Sequence, residues 1–185
     1  EAFEALGGVV LTQGFIARNA WGETVLLGRG GSDTSAAYFA ARLDARRIEI
    51  WTDVPGMFTA DPRVVPSARL LLALHYDEAQ ELASAGSSVL HPRCLSPLRA
   101  STIPLFIRCT AAPEVNGTVV SSVTEETEPQ VKGICLRNGL TLRSMDGVGM
   151  WHEVGFLARA FGVFNEHGVS VDLVSTSEIN VTVSI

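Results

Sequence analysis

A glycine-rich turn constrains this chain more than any other stretch. Residues 28–33 read Gly-Arg-Gly-Gly-Ser-Asp and lie between a short apolar run and an alanine-rich segment. Glycines allow a sharp turn and let a ligand approach backbone amides. The start of a following helix offers N–H groups and a partial positive charge, which attract an anion. Arg29 adds a planar guanidinium suited to a carboxylate or a phosphate.

The same turn also has a purely structural interpretation. Ser32 and Asp33 are favoured helix N-caps, and such a cap stabilises a helix by ~1 kcal/mol. The stretch matches neither Gly-x-x-x-x-Gly-Lys-Ser/Thr nor Gly-x-Gly-x-x-Gly, two common phosphate-binding patterns. Taken alone, the residues leave both an anion site and a capped turn open.

Residues 1–120 alternate strand-like and helix-like segments. Apolar or alternating runs predict strands, and alanine-rich or amphipathic runs predict helices. The predicted strands are 9–16, 24–27, 47–52 and 104–108, and the predicted helices are 32–46, 76–84 and 91–100. This alternation indicates an α/β domain with a mainly parallel sheet.

A polar, acidic stretch at residues 121–130 interrupts this pattern and predicts a linker. The remainder, residues 131–185, reads strand, helix, strand, strand. Its predicted elements are a strand over 131–143, a helix over 153–167 that Gly168 ends, and strands over 169–174 and 179–185. Because a last strand at an exposed sheet edge is a pairing hazard, we expect this chain to be a piece of a longer protein.

A second candidate site is the stretch 51–63, which leaves the end of a predicted strand. Ligands of open α/β sheets bind beyond the carboxyl ends of the strands. Asp53 and Arg63 can hold the ribose, base edge or phosphates of a nucleotide there. The alternative is an ordered turn built by proline and glycine, with Asp61 as a turn former. A third candidate, His91 before Pro92, is more typical of a helix cap than of a catalytic base.

Composition excludes several classes of function. The net charge of −6 argues against a nucleic-acid surface, and no apolar run approaches the ~20 residues that span a bilayer. Hydrophobic residues make up 46% of the chain, which is enough for a large core. Cys94, Cys109 and Cys135 are widely spaced, which fits a reducing compartment better than a disulfide framework or a metal site. We therefore expect a cytoplasmic protein without metal ligands of its own.

The three candidate stretches, taken together and in this order, resemble the aspartate kinases. Residues 12–16 (Thr-Gln-Gly-Phe-Ile) and 27–33 are similar to the substrate loops of that family. Residues 51–63 resemble its nucleotide loop, and 89–92 (Val-Leu-His-Pro) follow as in the family. The resemblance covers essentially the whole chain. It implies the carboxyl-terminal half of an amino-acid kinase (carbamate kinase-like) domain over 1–120, with helices on both faces of the sheet, and an incomplete ferredoxin-like ACT domain over 131–185.

The resemblance also implies roles for individual residues. Phe15, Arg29 and Ser32 would bind L-aspartate, with Arg29 on a carboxylate. Arg29, Ser32 and Asp33 would be the catalytic set, in which Asp33 orients lysines of the missing amino-terminal half. The implied ATP-binding residues are Thr52, Asp53, Phe58, Arg63 and Ser88. Phe58 and Ser88 depart from the family, which often has tyrosine and lysine at these positions.

The implied reaction is attack of the aspartate β-carboxylate on the γ-phosphoryl group of ATP. The products are 4-phospho-L-aspartate and ADP, in the first step of lysine, threonine and methionine biosynthesis. Mg²⁺ bridges the phosphates, and catalysis is positioning and charge neutralisation. Because the lysine-containing loop of the family's amino-terminal half has no counterpart here, we expect this piece alone to be inactive.

The second region resembles the ACT domains of lysine-sensitive aspartate kinases. A loop leading into a helix start can receive a carboxylate, and Asp172 can receive an ammonium group. The implied effector-binding residues are Met150, His152, Gly155, Phe156, Leu157, Ser170, Val171, Asp172, Thr176, Ser177 and Glu178. Two alternatives stay open: the apolar members are ordinary core, and Asp172 simply faces solvent.

Three other functions were weighed against a lysine-inhibited kinase. The chain could be a non-catalytic regulatory subunit that binds an amino acid, or the kinase part of a bifunctional fusion. It could also act on glutamate or acetylglutamate, although the 51–63 stretch and the ACT-like region argue against that. In each case, ACT regions predict a homodimer or larger assembly.

Overall fold

The computed structural model describes residues 8–87, 89–123, 130–147 and 153–185. The chain divides into two compact units, Glu1–Leu136 and Arg137–Ile185. Within the described residues, no helix combines the length and the apolar character needed to cross a membrane.

The first unit alternates strands and helices, as predicted. Its elements are β1 (Ile16–Arg18), β2 (Thr24–Leu26), α1 (Gly31–Arg42), β3 (Ile48–Thr52), β4 (Ala73–His75), α2 (Tyr76–Ser84), a 3-10 turn (Pro92–Cys94), α3 (Leu95–Ala100), β5 (Leu105–Cys109) and β6 (Thr118–Ser121). The strands β1 and β2 form an antiparallel hairpin that leads into α1. The predicted helix over 76–84 is confirmed to the residue.

The central sheet of this unit has the order β3-β5-β6-β4. The pairs β3–β5 and β4–β6 are parallel and β5–β6 is antiparallel, so the prediction of a mainly parallel sheet is confirmed. Apolar side chains from the sheet and from α1, α2 and α3 make one core. Its fully buried members include Leu74, Leu95, Leu98, Leu105 and Ile107.

The predicted strand over 9–16 is wrong, because only Ile16 belongs to a strand. Val9 and Leu11 are 101% and 97% exposed. A strand is stable only where a neighbour takes its backbone N–H and C=O groups, and within the described residues no strand pairs with 9–15. The short strands β4 and β6 were not predicted, since three or four residues carry too little alternation to be recognised.

The second unit contains β7 (Leu142–Asp146), α4 (Phe156–Glu166), β8 (Leu173–Thr176) and β9 (Asn180–Ser184). The predicted β-α-β-β order is confirmed. Its antiparallel sheet has the order β7-β9-β8. The strand β9 is therefore central, whereas the sequence analysis placed the last strand at an exposed edge. Val181 and Val183 on β9 are buried against Phe156, Phe161 and Phe164 of α4.

The segment 130–136, hereafter the connector, packs on the first unit and is not the predicted strand. Ile134 donates its N–H to the carbonyl oxygen of Thr59 at 2.8 Å, and Lys132 forms an ion pair with Glu78 at 2.7 Å. Of the predicted strand 131–143, only the last two residues lie in β7. The predicted linker 121–130 begins inside β6, and its residues 124–129 lie outside the described part.

Tyr76 gives a direct test of this core. It is 2% exposed, and its hydroxyl donates a hydrogen bond of 2.6 Å to the carbonyl oxygen of Ile103. Tyr76→Phe leaves that buried carbonyl without its donor, so we expect a loss of about 1–3 kcal/mol in the free energy of unfolding, measured by urea denaturation. Tyr38→Phe is the matched control, because Tyr38 is 53% exposed. Equal losses in the two variants would contradict this account.

Candidate functional site

The glycine turn connects β2 to α1 through two left-handed residues. Gly28 has φ 71° and Gly30 has φ 67°, a backbone region that residues with a Cβ atom rarely adopt. Gly31 donates its N–H to the carbonyl oxygen of Gly28 at 3.0 Å, and Leu27 donates to that of Phe15 at 2.9 Å. These bonds fold the turn back against the hairpin and start α1 at Gly31.

No side chain caps α1, so the capped-turn interpretation of Ser32 and Asp33 is wrong. Gly30 occupies the N-cap position without a side-chain bond. Within the described residues, no acceptor takes the N–H groups of Gly28, Gly30, Ser32 and Asp33. A helix start with N–H groups of this kind, combined with the positive end of the helix dipole, is an anion-binding arrangement.

An open cavity of about 470 Å³ lies over this turn. It is lined by Phe15, Gly28, Arg29, Gly30, Gly31 and Ser32. The structure therefore brings the three predicted substrate residues together around one cleft. Its volume is sufficient for a small molecule such as an amino acid, and Arg29 is among the residues that line it.

Phe15 is held in an unusual backbone conformation at the wall of this cavity. Its φ of 70° is an outlier for an aromatic residue. Its N–H donates to Ser35 Oγ at 3.1 Å, and Ser35 in turn donates to the carbonyl oxygen of Gly31 at 2.9 Å. Ser35 thus ties Phe15 to the first turn of α1. It was missed in the sequence because a serine on the inner face of an alanine-rich helix gives no distinct signal.

Asp33 is half-buried behind the turn. Burial raises the pKa of its carboxyl above the ordinary value of 3.8, and a hydrogen bond from the His91 backbone N–H opposes that rise. Cys94 lies fully buried nearby, and burial together with the Asp33 charge raises the pKa of its thiol to about 12. The thiol is therefore protonated at neutral pH and is not a nucleophile.

His91 and Arg93 support the turn from behind. The Nδ1 atom of His91 accepts the N–H of Arg93 at 3.2 Å and caps the 3-10 turn, so the structural interpretation of His91 is confirmed. A Cβ placed on Gly30 would lie only 2.2 Å from the Cβ of His91. Arg93 donates to the carbonyl oxygens of Leu27 and Arg29 at 3.1 and 2.6 Å. The sequence did not single out Arg93, because long-range contacts leave no local pattern.

The predicted nucleotide residues begin at the carboxyl end of β3. Thr52 ends β3, and its carbonyl oxygen accepts both the N–H and the hydroxyl of Thr110, at 2.9 and 3.1 Å. This joins the carboxyl ends of the parallel strands β3 and β5. Asp53 is exposed just beyond, with its carboxylate 3.1 Å from the Thr52 hydroxyl.

Arg63 is already engaged by a carboxylate. It donates to both oxygens of Asp61, with the closest approach 2.8 Å, and its own N–H bonds to Asp61 at 2.9 Å. The Arg63 guanidinium lowers the pKa of Asp61, and Asp61 raises the pKa of Arg63. Asp61 is therefore a turn former, which is the structural alternative that the sequence analysis gave for residues 51–63. It also orients Arg63. Phe58 forms a backbone bridge with Leu70, and Ser88 lies outside the described residues.

Chain connectivity indicates that the glycine turn lies at the same edge of the sheet as Thr52 and Asp53. The helix α1 packs on β3 and leads into it through a short connection. The helix therefore runs back along the strand, and its first turn lies near the strand's carboxyl end. This edge is where ligands of open α/β sheets bind.

Those predicted effector residues that the structure describes lie around the start of α4 and the ends of β8. Gly155 is the N-cap of α4 with φ 81°, and Asp172 precedes β8, with its carboxylate 2.8 Å from the Arg137 guanidinium. Among the rest, Phe156 and Val171 pack in the core and Leu157 is 38% exposed. Ser170, Thr176, Ser177 and Glu178 are exposed, while Met150 and His152 lie outside the described residues. Across the described ranges, no three His, Cys, Asp or Glu side chains are grouped to hold a metal ion.

Comparison with known proteins gives matches over both units. The model of the amino acid kinase family matches residues 1–109, and a model of the ACT domain matches residues 144–185. The chain is 44% identical to the lysine-sensitive aspartokinase 3 of Escherichia coli over 178 residues. That alignment covers 96% of this chain and 39% of the relative, so the chain spans about two fifths of its length.

Two solved structures of E. coli aspartokinase III are similar to this chain. The complex with aspartate and ADP, in the R-state, matches with a TM-score of 0.85 and 43% identity, over 100% of this chain and 42% of that one. The complex with lysine and aspartate, in the T-state, matches with a TM-score of 0.77 and 44% identity, over 93% and 38%. The predicted resemblance to aspartate kinases is confirmed.

The two left-handed glycines provide a paired test of the turn. Gly28→Ala adds a Cβ in open space, so we expect only the backbone strain of about 1–2 kcal/mol. Gly30→Ala adds the same strain and an overlap with the Cβ atom of His91. A Cβ atom is bonded directly to the backbone, so rotation of the His91 side chain cannot relieve the overlap. We expect Gly30→Ala to lower the free energy of unfolding by a further ~1–3 kcal/mol. Equal urea midpoints for the two variants would contradict the observed packing.

Proposed function

Because the chain belongs to the amino acid kinase family, we propose that it is the carboxyl-terminal half of an aspartate kinase with part of its ACT domain. The intact enzyme would transfer the γ-phosphoryl group of ATP to the β-carboxylate of L-aspartate. The observation that carries this proposal is the open cavity lined by Phe15, Arg29 and Ser32 over a glycine turn. A relative at 43% identity has been solved with aspartate and ADP. In this assignment, residues 1–120 belong to the kinase domain and 131–185 to the ACT domain.

Recognition of aspartate would rest on charge and backbone geometry. Arg29 would pair with one substrate carboxylate through two parallel N–H···O bonds. The N–H groups at the start of α1 would receive an anionic oxygen, with Ser32 beside them. The ring of Phe15 would close one side of the cleft and exclude water, which strengthens these charge interactions.

The nucleotide would lie at the carboxyl edge of β3. Thr52 and Asp53 would bind the ribose or the base edge of ATP. Arg63, oriented by Asp61, would face the phosphates. Phe58 and Ser88 belong to the same proposed site. Phe58 lacks the hydroxyl of the tyrosine that the family often has there, and Ser88 lacks the positive charge of the lysine. Mg²⁺ would accompany ATP through the phosphate oxygens that are its usual ligands, and would neutralise charge there.

Asp33 would act in catalysis as an orienting anion. Its carboxylate would hold a catalytic lysine of the intact enzyme, so that the ammonium faces the transferring phosphoryl group. The raised pKa supports this role, because burial makes the ionised carboxyl costly and a neighbouring ammonium offsets that cost. The substrate carboxylate is already an anion, so no general base is required.

The decisive experiment measures ADP formation by the intact protein with L-aspartate, L-glutamate and N-acetylglutamate as acceptors. We expect activity with L-aspartate. Asp33→Asn should lower kcat about 100-fold, as loss of a preorganised charge does. Asp44→Asn is the control, because Asp44 is exposed and Asn tolerates its φ of 49°. A preference for either glutamate substrate would overturn the proposal.

The same variant has a second expected result. Burial raises the pKa of Asp33 in the folded state, so ionised Asp33 costs stability above that pKa, and the cost disappears as the pH falls to 3.8. At pH 7, Asp33→Asn in the 185-residue chain, without the lysines proposed for the intact enzyme, should therefore unfold at the same or higher urea concentration than the unchanged chain. Its advantage should vanish near pH 4. A less stable Asp33→Asn protein at pH 7 would show that Asp33 has a stabilising partner.

We further propose that lysine regulates the enzyme through the second unit. A ligand carboxylate would meet the first turn of α4 near Gly155, Phe156 and Leu157, and a ligand ammonium would pair with Asp172. The remaining proposed contacts are Met150, His152, Ser170, Val171, Thr176, Ser177 and Glu178. One relative is named lysine-sensitive, and a solved relative contains lysine. We also propose that the intact protein forms a homodimer or a larger assembly through its ACT domains, and that it is cytoplasmic.

The pair Asp172–Arg137 gives this regulation a specific test. The Arg137 guanidinium lies 2.8 Å from the carboxylate that a ligand ammonium would need. Asp172→Asn should raise the lysine concentration for half-inhibition about tenfold or more. Arg137→Gln should lower it, because lysine no longer competes with a guanidinium. Arg143→Gln, an exposed arginine of the same unit, is the control. An Asp172→Asn enzyme with unchanged lysine sensitivity would remove Asp172 from the effector site.

A further inference from the structure

We propose that Arg93 is a positioning residue that aims the backbone N–H groups of the glycine turn at the substrate. This inference rests on the proposed function, since the substrate anion is aspartate. Arg93 does not line the cavity. It lies on the 3-10 turn behind it and donates to the carbonyl oxygens of Leu27 and Arg29, at 3.1 and 2.6 Å.

The geometry of the peptide group carries the argument. The Leu27 carbonyl and the Gly28 N–H belong to one trans peptide, and they point in opposite directions. The same holds for the Arg29 carbonyl and the Gly30 N–H. By holding both carbonyls on its own side, one guanidinium turns both N–H groups away from itself. Gly28 and Gly30 line the cavity.

The turn cannot hold this orientation by itself. Two left-handed glycines in three residues give the backbone more freedom than any other residue pair would. The N–H groups of Gly28 and Gly30 have no acceptor within the described residues, so they do not fix their own peptide planes. The planar guanidinium donates along two directions at once, which fixes the two peptides relative to each other.

His91 supports the same arrangement independently of Arg93. Its side chain packs against Gly30 so closely that no Cβ fits between them. Its Nδ1 atom accepts the N–H of Arg93, which anchors the base of the arginine. His91 and Arg93 therefore both support the turn, His91 at Gly30 and Arg93 at the carbonyl oxygens of Leu27 and Arg29. The side-chain bonds of Arg93 itself go only to the turn, so a change at Arg93 should act on substrate binding mainly through the turn.

The test compares three variants of the intact enzyme. Arg93→Met removes the two N–H donors of Nη2, Arg93→Lys keeps the charge and N–H donors on a shorter side chain without the planar fork, and Arg99→Met is the control. Arg99 is an exposed arginine of α3 that pairs with Asp77 at 2.5 Å, away from the cavity. We expect Arg93→Met to raise the KM for aspartate about tenfold or more, Arg93→Lys to raise it less, and both to leave the KM for ATP within about twofold.

A second readout separates positioning from general support. Hydrogen exchange of the amides of residues 28–33 should become faster in Arg93→Met and stay unchanged in Arg99→Met, with Tm unchanged in both. An unchanged KM for aspartate overturns the inference, as does a rise of both KM values with a lower Tm. If the unchanged enzyme does not phosphorylate aspartate, the proposed function fails, and the exchange measurement still decides whether Arg93 orders the turn.

Discussion

The N–H groups at the start of α1 are the constraint on which this site depends. A helix leaves its first N–H groups without partners, and most helices satisfy them with a side-chain cap or water. Here Gly30 is the N-cap and no side chain takes that role. Glycine at this position keeps the N–H groups accessible from outside. The feature that leaves the helix without a side-chain cap also leaves these N–H groups without an acceptor among the described residues, which is the arrangement that an anion site requires.

The elements around the turn keep these groups accessible. Ser35 ties Phe15 to the first turn of α1, and the 3-10 turn supports Gly30 from behind. Asp33 sits in the same packing with a raised pKa, so folding brings an unfavourable charge close to the cavity. Sites that bind or transform charged ligands commonly carry such costs, which the ligand or a partner group then offsets. Ionised Asp33 therefore lowers the stability of the fold, whereas the hydrogen bonds of Ser35 hold Phe15 against the first turn of α1.

Local patterns predicted the parts of this structure that local chemistry determines. The glycine turn, the helix over 76–84 and the β-α-β-β order follow from turn residues and periodicity, and the cleft forms where the turn was found. Several of the failures have the same physical cause, which is dependence on distant partners. Residues 9–15 are apolar but lack a neighbouring strand among the described residues, and β9 became central because β7 and β8 pair with it on both sides. Arg93 and Ser35 act across long sequence separations, which no pattern in one sequence records.

The connector shows how a wrong prediction carries information. The connector has the composition of a strand, but it does not join a sheet. Its backbone hydrogen bond goes from the N–H of Ile134 to the carbonyl oxygen of Thr59, in the loop that follows β3. Thr59 in turn bonds to Arg69, so the connector holds the middle of the loop that carries Arg63. The second unit begins three residues after Ile134, at Arg137, whose guanidinium is paired with Asp172. The predicted strand over 131–143 therefore fails because the backbone partner of Ile134 is a distant loop and not a neighbouring strand, a contact that composition does not record.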